Sequence, residues 1–308
     1  MSRTLLFRIL QFPLILAVIY VITFVLAWVA PGDPFQNERA MDPTVKRTLE
    51  REFHARNAWE FFRYHSWNVI RHGDFGPSMK YQEFTVNQII RSALPVSVTL
   101  GLFAMCIAIP VGVLIGALAA VRRNGAADWS SLTVALVGIS VPSFVIASVL
   151  LIFAAKTRTF PVGGWGTIAH LILPGIALSL WPMAYIVRLT RASMLDVLGA
   201  DYVRTARAKG LSKSVVIWKH CLRNAFLPVL SYIGPAMAST MVGSFVVEQV
   251  FTIPGLGRYF VSSVINRDRT LILGVVLVES AFILFFNLLV DLSYALVDPR
   301  IDLSVKAT

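Results

Sequence analysis

Charged residues cluster along this chain, and long uncharged runs lie between the clusters. Five runs exceed one membrane span: Ile9–Ala30, Pro95–Val121, Ser130–Ala155, Thr159–Val187 and Asn224–Val247. A sixth, Thr270–Val297, is interrupted only by Glu279 and Asp291. About 20 apolar residues cross a bilayer as a helix. The pattern therefore predicts an all-α integral membrane protein with six transmembrane helices, over 9–30, 95–121, 130–155, 169–187, 225–247 and 271–295. Residues 1–308 are expected to form one transmembrane domain, because no soluble stretch is long enough to hold a core of its own. The first run lies near the start of the chain, as a signal peptide would. Its 22 uncharged residues exceed a signal core, and Pro31-Gly-Asp-Pro34 follows in place of a small-residue cleavage site. It reads as a span.

Composition agrees: 56% of residues are hydrophobic, 15% are charged, and mean hydropathy is +0.69. The net charge of +11 changes the picture only through its placement. The basic residues sit in loops between apolar runs, so orientation is a simpler cause than nucleic-acid binding, and no nucleic acid is expected. With both ends inside, the inner segments carry 14 Lys and Arg and the short outer loops carry five. The segment 31–94 holds nine basic and eight acidic residues, and loops of that length translocate largely regardless of charge. The expected topology is N-in and C-in, with 31–94 outside. Cys106 and Cys221 fall outside the outer loops, so no disulfide is expected.

The outer segments carry local structure. Trp59, Phe62, Val69 and Ile70 recur near helical spacing, and Arg71-His72-Gly73 ends the run. This predicts an amphipathic helix lying on the membrane or on its own bundle. His54, His65 and His72 have no Cys or carboxylate pattern around them, so they read as loop residues and no metal site is expected. After the fifth span, the stretch that holds Glu248, Phe251, Pro254, Gly255 and Gly257 carries a turn signal at Pro254-Gly255. Phe260, Val261, Val264 and Ile265 follow it at helical spacing. The turn and its helix are a candidate outer gate, or scoop loop.

Two spans carry polar groups. The fifth is rich in small residues; Gly234 with Ala238, and Ser239 with Gly243, are pairs that favour close helix packing. Its hydroxyls, Ser239 and Ser244 among them, also suit a translocation path. In the sixth, Glu279, Asn287 and Asp291 share one face. A carboxylate inside a span marks a pathway or a buried pair. Glu279 is the candidate path residue, and Asp291, near the inner end, suits pairing with a loop Arg.

The most informative stretch is the polar island 196–224. Asp201-Tyr-Val-Arg-Thr-Ala-Arg-Ala-Lys-Gly210 runs on to Asn224-Ala-Phe-Leu-Pro228. Orientation explains its basic residues, but not Ala206, Ala208 and Gly210 set so close together, which lets a partner surface approach the backbone. The island reads as a docking element. No phosphate-binding loop, nucleophile–histidine arrangement or zinc motif appears, so the chain is not expected to be an enzyme, nor to bind a cofactor itself. Energy for uphill transport would come from a partner, or from an ion gradient through Glu279 and Asp291. A scaffold that transports nothing is a third reading.

The run 202–210, followed by His220-Cys-Leu-Arg-Asn-Ala-Phe-Leu-Pro228, resembles the coupling loop of ABC importer permease subunits of the dipeptide/oligopeptide/nickel group. Ala206 and Gly210 occupy the places of the Ala and Gly of the general loop pattern. Arg204-Thr205 resembles the peptide-group variant. Pro31-Gly-Asp-Pro34, Gly73-Asp-Phe-Gly76 with Ser78, Arg188-Leu-Thr-Arg191, Glu248 to Gly257, Asp291 with Tyr294, and Asp298-Pro-Arg300 match the same group along the chain. The stretch from Phe35 to Trp67 lacks the Leu-Gly-Leu-Asp type of run that the group carries before the outer helix. The resemblance implies a type I-like permease bundle and a B-type subunit in the bacterial cytoplasmic (inner) membrane. It implies a C-type second permease subunit, two cytoplasmic ABC ATPases that bind the ATP and Mg, and an extracytoplasmic substrate-binding protein. Tyr202, Arg204, Thr205, Ala206, Arg207, Lys209 and Gly210 would form the ATPase contact. The cargo would be a dipeptide, a longer peptide, nickel or another small solute.

Overall fold

The computed structural model describes residues 2–35, 42–81 and 83–297. Among these the chain is mostly helical, and no strand forms. In order come α1 (Ser2–Val29), α2 (Pro43–Glu52), α3 (Ala58–His72), α4 (Val86–Val121), α5 (Ala126–Ser140), α6 (Ser143–Thr157), α7 (Ile168–Leu198) and α8 (Asp201–Ala208). A short α9 (Lys213–Val215) passes through a π-helical turn (Val216–Cys221) into α10 (Leu222–Ala225). Then follow α11 (Leu227–Val250), α12 (Leu256–Asn266) and α13 (Arg269–Val297). Helices dominate because hydrocarbon offers backbone groups no hydrogen-bond partners.

Among the described residues, four helical segments are each long and apolar enough to cross a membrane: Leu10–Val29, Val86–Val121, Ile168–Leu198 and Arg269–Leu289. Two bent pairs raise the number to six if each counts as one span. One pair is α5 with α6, which meet at 101°. The uncharged run 130–155 is therefore not one straight helix. Val141 is extended (φ −91°, ψ 121°), because the ring of Pro142 disfavours helical backbone in the residue before it. Pro142 also brings no amide hydrogen to continue the ladder.

The chain divides into two compact units. The first comprises residues 1–97 and 253–284, the second 98–252 and 285–308. In the first, α3 packs along α1. Phe24 lies 5.0 Å from Phe62 and 6.2 Å from Phe61 between ring centroids, and Trp28 lies 5.9 Å from Phe61. The opposite face of α3 leaves Trp59, Trp67 and Ile70 exposed. Asp33 and Lys46 form an ion pair beside this cluster.

The same unit is tied by Asp268, a fully buried carboxylate. It accepts hydrogen bonds from the Ser78 hydroxyl (2.5 Å), the Lys80 amide (3.1 Å), the Thr270 hydroxyl (2.9 Å) and the Leu271 amide (3.0 Å). Four donors replace the water that the charge gave up. The Gly73–Ser78 motif thereby gains a structural role: it fastens the segment before α4 to the start of α13.

His65 is buried between these elements. Its Nε2–H donates to the Phe75 carbonyl (3.2 Å), so Nδ1 accepts from the Tyr20 hydroxyl (2.7 Å). Burial pushes the imidazole down to about 4, against the opposing pull of the Phe75 carbonyl and the Asp74 charge. The folded chain thus holds His65 neutral where the unfolded chain takes up a proton. This contribution to stability is complete above the ordinary histidine value of 6.5 and is lost as pH falls through about 4. Within that window the slope approaches about 1.4 kcal/mol per pH unit. Melting temperatures of wild type and His65→Gln, followed from pH 7 to pH 4, should converge in acid, with wild type losing more. Parallel curves would contradict this placement of His65.

Candidate functional site

The polar island forms a compact corner in the second unit. Val203 and Ala206, three apart on α8, are buried against Met194 of α7, Ala117 and Ala120 of α4, and Val216, Cys221 and Ala225. Small residues at 117, 120, 206 and 225 let the helices approach closely. Asp201 lies in the first turn of α8 and Arg207 in its last, the arrangement that the helix dipole favours.

The end of α8 shows why residue 210 is Gly. The Leu211 amide donates to the Ala206 carbonyl (3.4 Å), and the Gly210 amide donates to the Arg207 carbonyl (3.0 Å). This pair of bonds is a Schellman motif, which places residue 210 in the left-handed region. Its φ is +79°. Two residues on, the Ser212 hydroxyl accepts the Val215 amide (3.4 Å) and caps the next helix. The Tyr202 hydroxyl accepts from the Asn224 side-chain amide (2.8 Å), clasping α8 to the chain that enters α11.

The outward face of this corner is basic and aromatic. Arg204, Thr205, Arg207 and Lys209 are exposed, as are Lys213, Lys219 and Arg223. Tyr202, Leu211, Val215 and Trp218 expose 39–43% of their surface among them. Arg207, Leu211, Lys213 and Ile217 line a shallow depression of about 440 Å³ with Val121 and Leu198. Exposed aromatic and Arg residues together are the composition of a protein–protein contact.

The other sequence-derived candidates are dispersed. Ser239 donates to the Ala236 carbonyl of its own helix (3.0 Å) and borders a cavity with Thr240. The Ser244 hydroxyl donates to the Met241 carbonyl (2.6 Å) and lies 2.9 Å from Glu248 Oε1, and Ser244 and Glu248 are both fully buried in α11. Phe251 is buried, and its carbonyl accepts from the Gly164 amide (3.0 Å). In the other unit, Pro254 is exposed and Gly255 precedes α12. Gly257 is buried, and the neighbouring Leu256 amide donates to the Ser97 hydroxyl (2.8 Å). Glu279 is half-buried on α13. The Asp291 side chain and residues 298–308 lie outside the described residues.

Comparison with known proteins now decides the family. The family model for the binding-protein-dependent transport system inner membrane component matches residues 112–303. This chain belongs to that family. The permease is 42% identical over 307 residues to the dipeptide transport system permease protein DppB of Bacillus subtilis, covering 99% of this chain and 100% of that one. It is 42% identical over 291 residues to the oligopeptide transport system permease protein OppB of Haemophilus influenzae, covering 93% and 94%. It is 40% identical to OppB of Escherichia coli K12 over the same shares. A crystal structure of an amino acid ABC transporter with histidines matches 67% of the permease and 93% of that chain, with a TM-score of 0.50 and 18% identity. That likeness shows the fold.

Two contacts behind the corner escape sequence reading. Arg191 donates to Asp128 from Nε (2.5 Å) and from a terminal guanidinium nitrogen (2.8 Å). The carboxylate also accepts the Asn124 amide (2.9 Å) and is 3% exposed. A fork-to-carboxylate pair of this kind is geometrically specific, and it joins α7 to the first turn of α5. Gly112 and Gly116 let α4 meet α7. A Cβ at 116 would lie 2.6 Å from the Val187 carbonyl oxygen, and one at 112 would lie 2.9 Å from Ile186. Asp128→Ala should destabilise the folded permease by about 1–3 kcal/mol, because it leaves the part-buried guanidinium without its carboxylate. Adding Arg191→Met should recover part of that loss. Additive losses in denaturation of the purified protein would show that the two side chains do not act as a pair.

Proposed function

We propose that this chain is a B-type permease subunit of an ATP-driven importer that carries di- and oligopeptides across the bacterial cytoplasmic membrane. One observation carries the reading: the chain aligns over its whole length, at 42% identity, with a protein named as a dipeptide permease. Relatives named as oligopeptide permeases support the same cargo class. In this reading the chain hydrolyses nothing, and energy enters through two cytoplasmic ATPases. A C-type permease subunit completes the passage, and an extracytoplasmic binding protein delivers the peptide. Six spans with both ends inside, a single transmembrane domain, and an outer gate at 248–257 belong to the same proposal.

The corner at 196–224 is the proposed point of coupling. An isolated helix as short as α8 is marginal. Here Val203 and Ala206 anchor it, and the Schellman motif, the Ser212 cap and the Tyr202–Asn224 bond fix its ends. A rigid α8 transmits a push. Its buried face meets residues of α4 and α7 and the chain entering α11, so displacement by a closing ATPase moves those helices together. Its basic and aromatic outward face remains available for the ATPase surface. The Arg191–Asp128 pair adds α5 to the group that moves.

Gly210→Val tests the coupling. Space is not the obstacle, since a Cβ there meets nothing within 4 Å. The obstacle is the positive φ, which costs a β-branched residue about 1–2 kcal/mol or more. The variant should insert and bind its permease partner, yet lose ATPase co-purification or the stimulation of ATP hydrolysis by loaded binding protein. Full stimulation and transport in Gly210→Val would sink the coupling assignment. Orientation is tested separately in a background lacking Cys106 and Cys221. A Glu83→Cys thiol should react with an impermeant reagent in intact cells, and a Lys213→Cys thiol only after the inner face is opened; the reverse pattern overturns the topology.

A further inference from the structure

Four residues on the way into α11 are buried: Val216, Cys221, Ala225 and Val229. Their spacing is five, then four, then four. Four suits an α-helix and five does not, because residues five apart point about 140° away from each other. Val216 and Cys221 nonetheless belong to one core with Met194, Val203 and Ala206. The chain reconciles the two by winding residues 216–221 as a π-helical turn, in which the Leu222 amide donates to the Ile217 carbonyl five residues back. The wider turn takes up one extra residue. Such turns are rare inside α-helices and gather at functional sites.

A second register lies one residue away. Counting back from Cys221 by four reaches Ile217, not Val216. With Ile217 in the core, positions 217, 221, 225 and 229 form one α-helical stripe, and the turn needs no extra residue. Ile217 is apolar, β-branched and half-buried, and it already packs against the edge of the same core. It also forms part of the wall of the depression, beside Arg207, Leu211 and Lys213. One side chain therefore meets both the core and the docking surface. Exchange of Val216 for Ile217 turns α9 by about 100° and moves it about 1.5 Å along its axis relative to α11. Leu211 and Ser212, between α8 and α9, lie outside any helix and provide the slack. The depression has a different wall in each register, so a side chain seated in it distinguishes the two.

We propose that the π-helical turn at 216–221 is a two-register switch. An ATPase side chain that fills the depression presses Ile217 into the place of Val216. The turn becomes α-helical, and α9 turns against α11 while α8 stays packed. By reciprocity, whatever moves α11 biases the register, and with it the seat offered to the ATPase. The proposal rests on the coupling reading and adds the element that changes state. The test uses the assembled transporter in liposomes with trialanine-loaded binding protein. Deleting His220 puts Val216 four residues before the cysteine, so a single α-helical register satisfies the core. The deletion variant should assemble and co-purify with the ATPase, and stimulation of ATP hydrolysis by loaded binding protein should fall roughly tenfold. His220→Ala, which keeps the residue count, should retain stimulation. Spin labels on Lys213→Cys and Ser231→Cys, with Cys106 and Cys221 replaced by Ala, read the register directly. Their separation should shift when a non-hydrolysable ATP analogue closes the ATPases, and should stay fixed in the deletion variant. Full stimulation in the deletion variant would overturn the proposal. A turn that keeps one register leaves the label separation indifferent to the analogue, which would overturn it equally. If the deletion variant does not assemble, the labels on the full-length chain still decide. Wild-type permease that does not co-purify with its ATPase would instead mark a failure of the coupling reading itself.

Discussion

Hydrocarbon supplies no hydrogen bonds, and this constraint organises the chain. Wherever the backbone meets lipid it must close its own ladder, so long helices result. Every departure from a continuous helix then needs a local solution. At Val141-Pro142 the new helix reuses the Pro142 carbonyl, which accepts from the Val145 and Ile146 amides (3.0 and 3.3 Å). At the polar island it is a set of caps: the bonds at the end of α8, the Ser212 hydroxyl, and the clasp between Tyr202 and Asn224. Buried charge obeys the same rule. Asp268 accepts four donors, and Asp128 takes both a guanidinium fork and a backbone amide. Both carboxylates are met by donors on more than one side.

The island joins two properties that oppose each other in most loops. Its inner face is packed like a core, through Val203, Ala206, Val216, Cys221 and Ala225. Its outer face keeps basic and aromatic side chains in the open. Packing makes the corner stiff, and exposure keeps it available. In the proposed reading, a stiff, exposed corner set against helices at residues 117–120 and 194 is what would turn an ATPase contact into movement of the spans.

The family and the helical class were legible in the sequence, and the reason is physical. Apolar runs bounded by basic loops are a membrane signature at any distance, and the island's motif is contiguous. At Gly210 and Ser212 the chemistry is local: a Gly takes the left-handed turn and a hydroxyl caps the next helix. Pairings across long separations were not legible. Arg191 and Asp128 lie 63 residues apart, and Ser78 and Asp268 lie 190 apart. Nothing in either neighbourhood names the other. Gly112 and Gly116 were hidden in a uniformly apolar run, where small residues carry little contrast. Pro142 was in plain view, but hydropathy averages over a proline, so the run 130–155 read as one straight span.

The central claim is that the corner at 196–224 is the surface on which the ATPase seats. Photo-crosslinking in the assembled transporter tests it most directly, with a benzophenone amino acid placed at Trp218 and, as a control, at Trp67 on α3. The account predicts a crosslink from position 218 to the ATPase chain, changing in yield with nucleotide, and none to that chain from position 67. No ATPase crosslink from 218, or one from 67 instead, would contradict it.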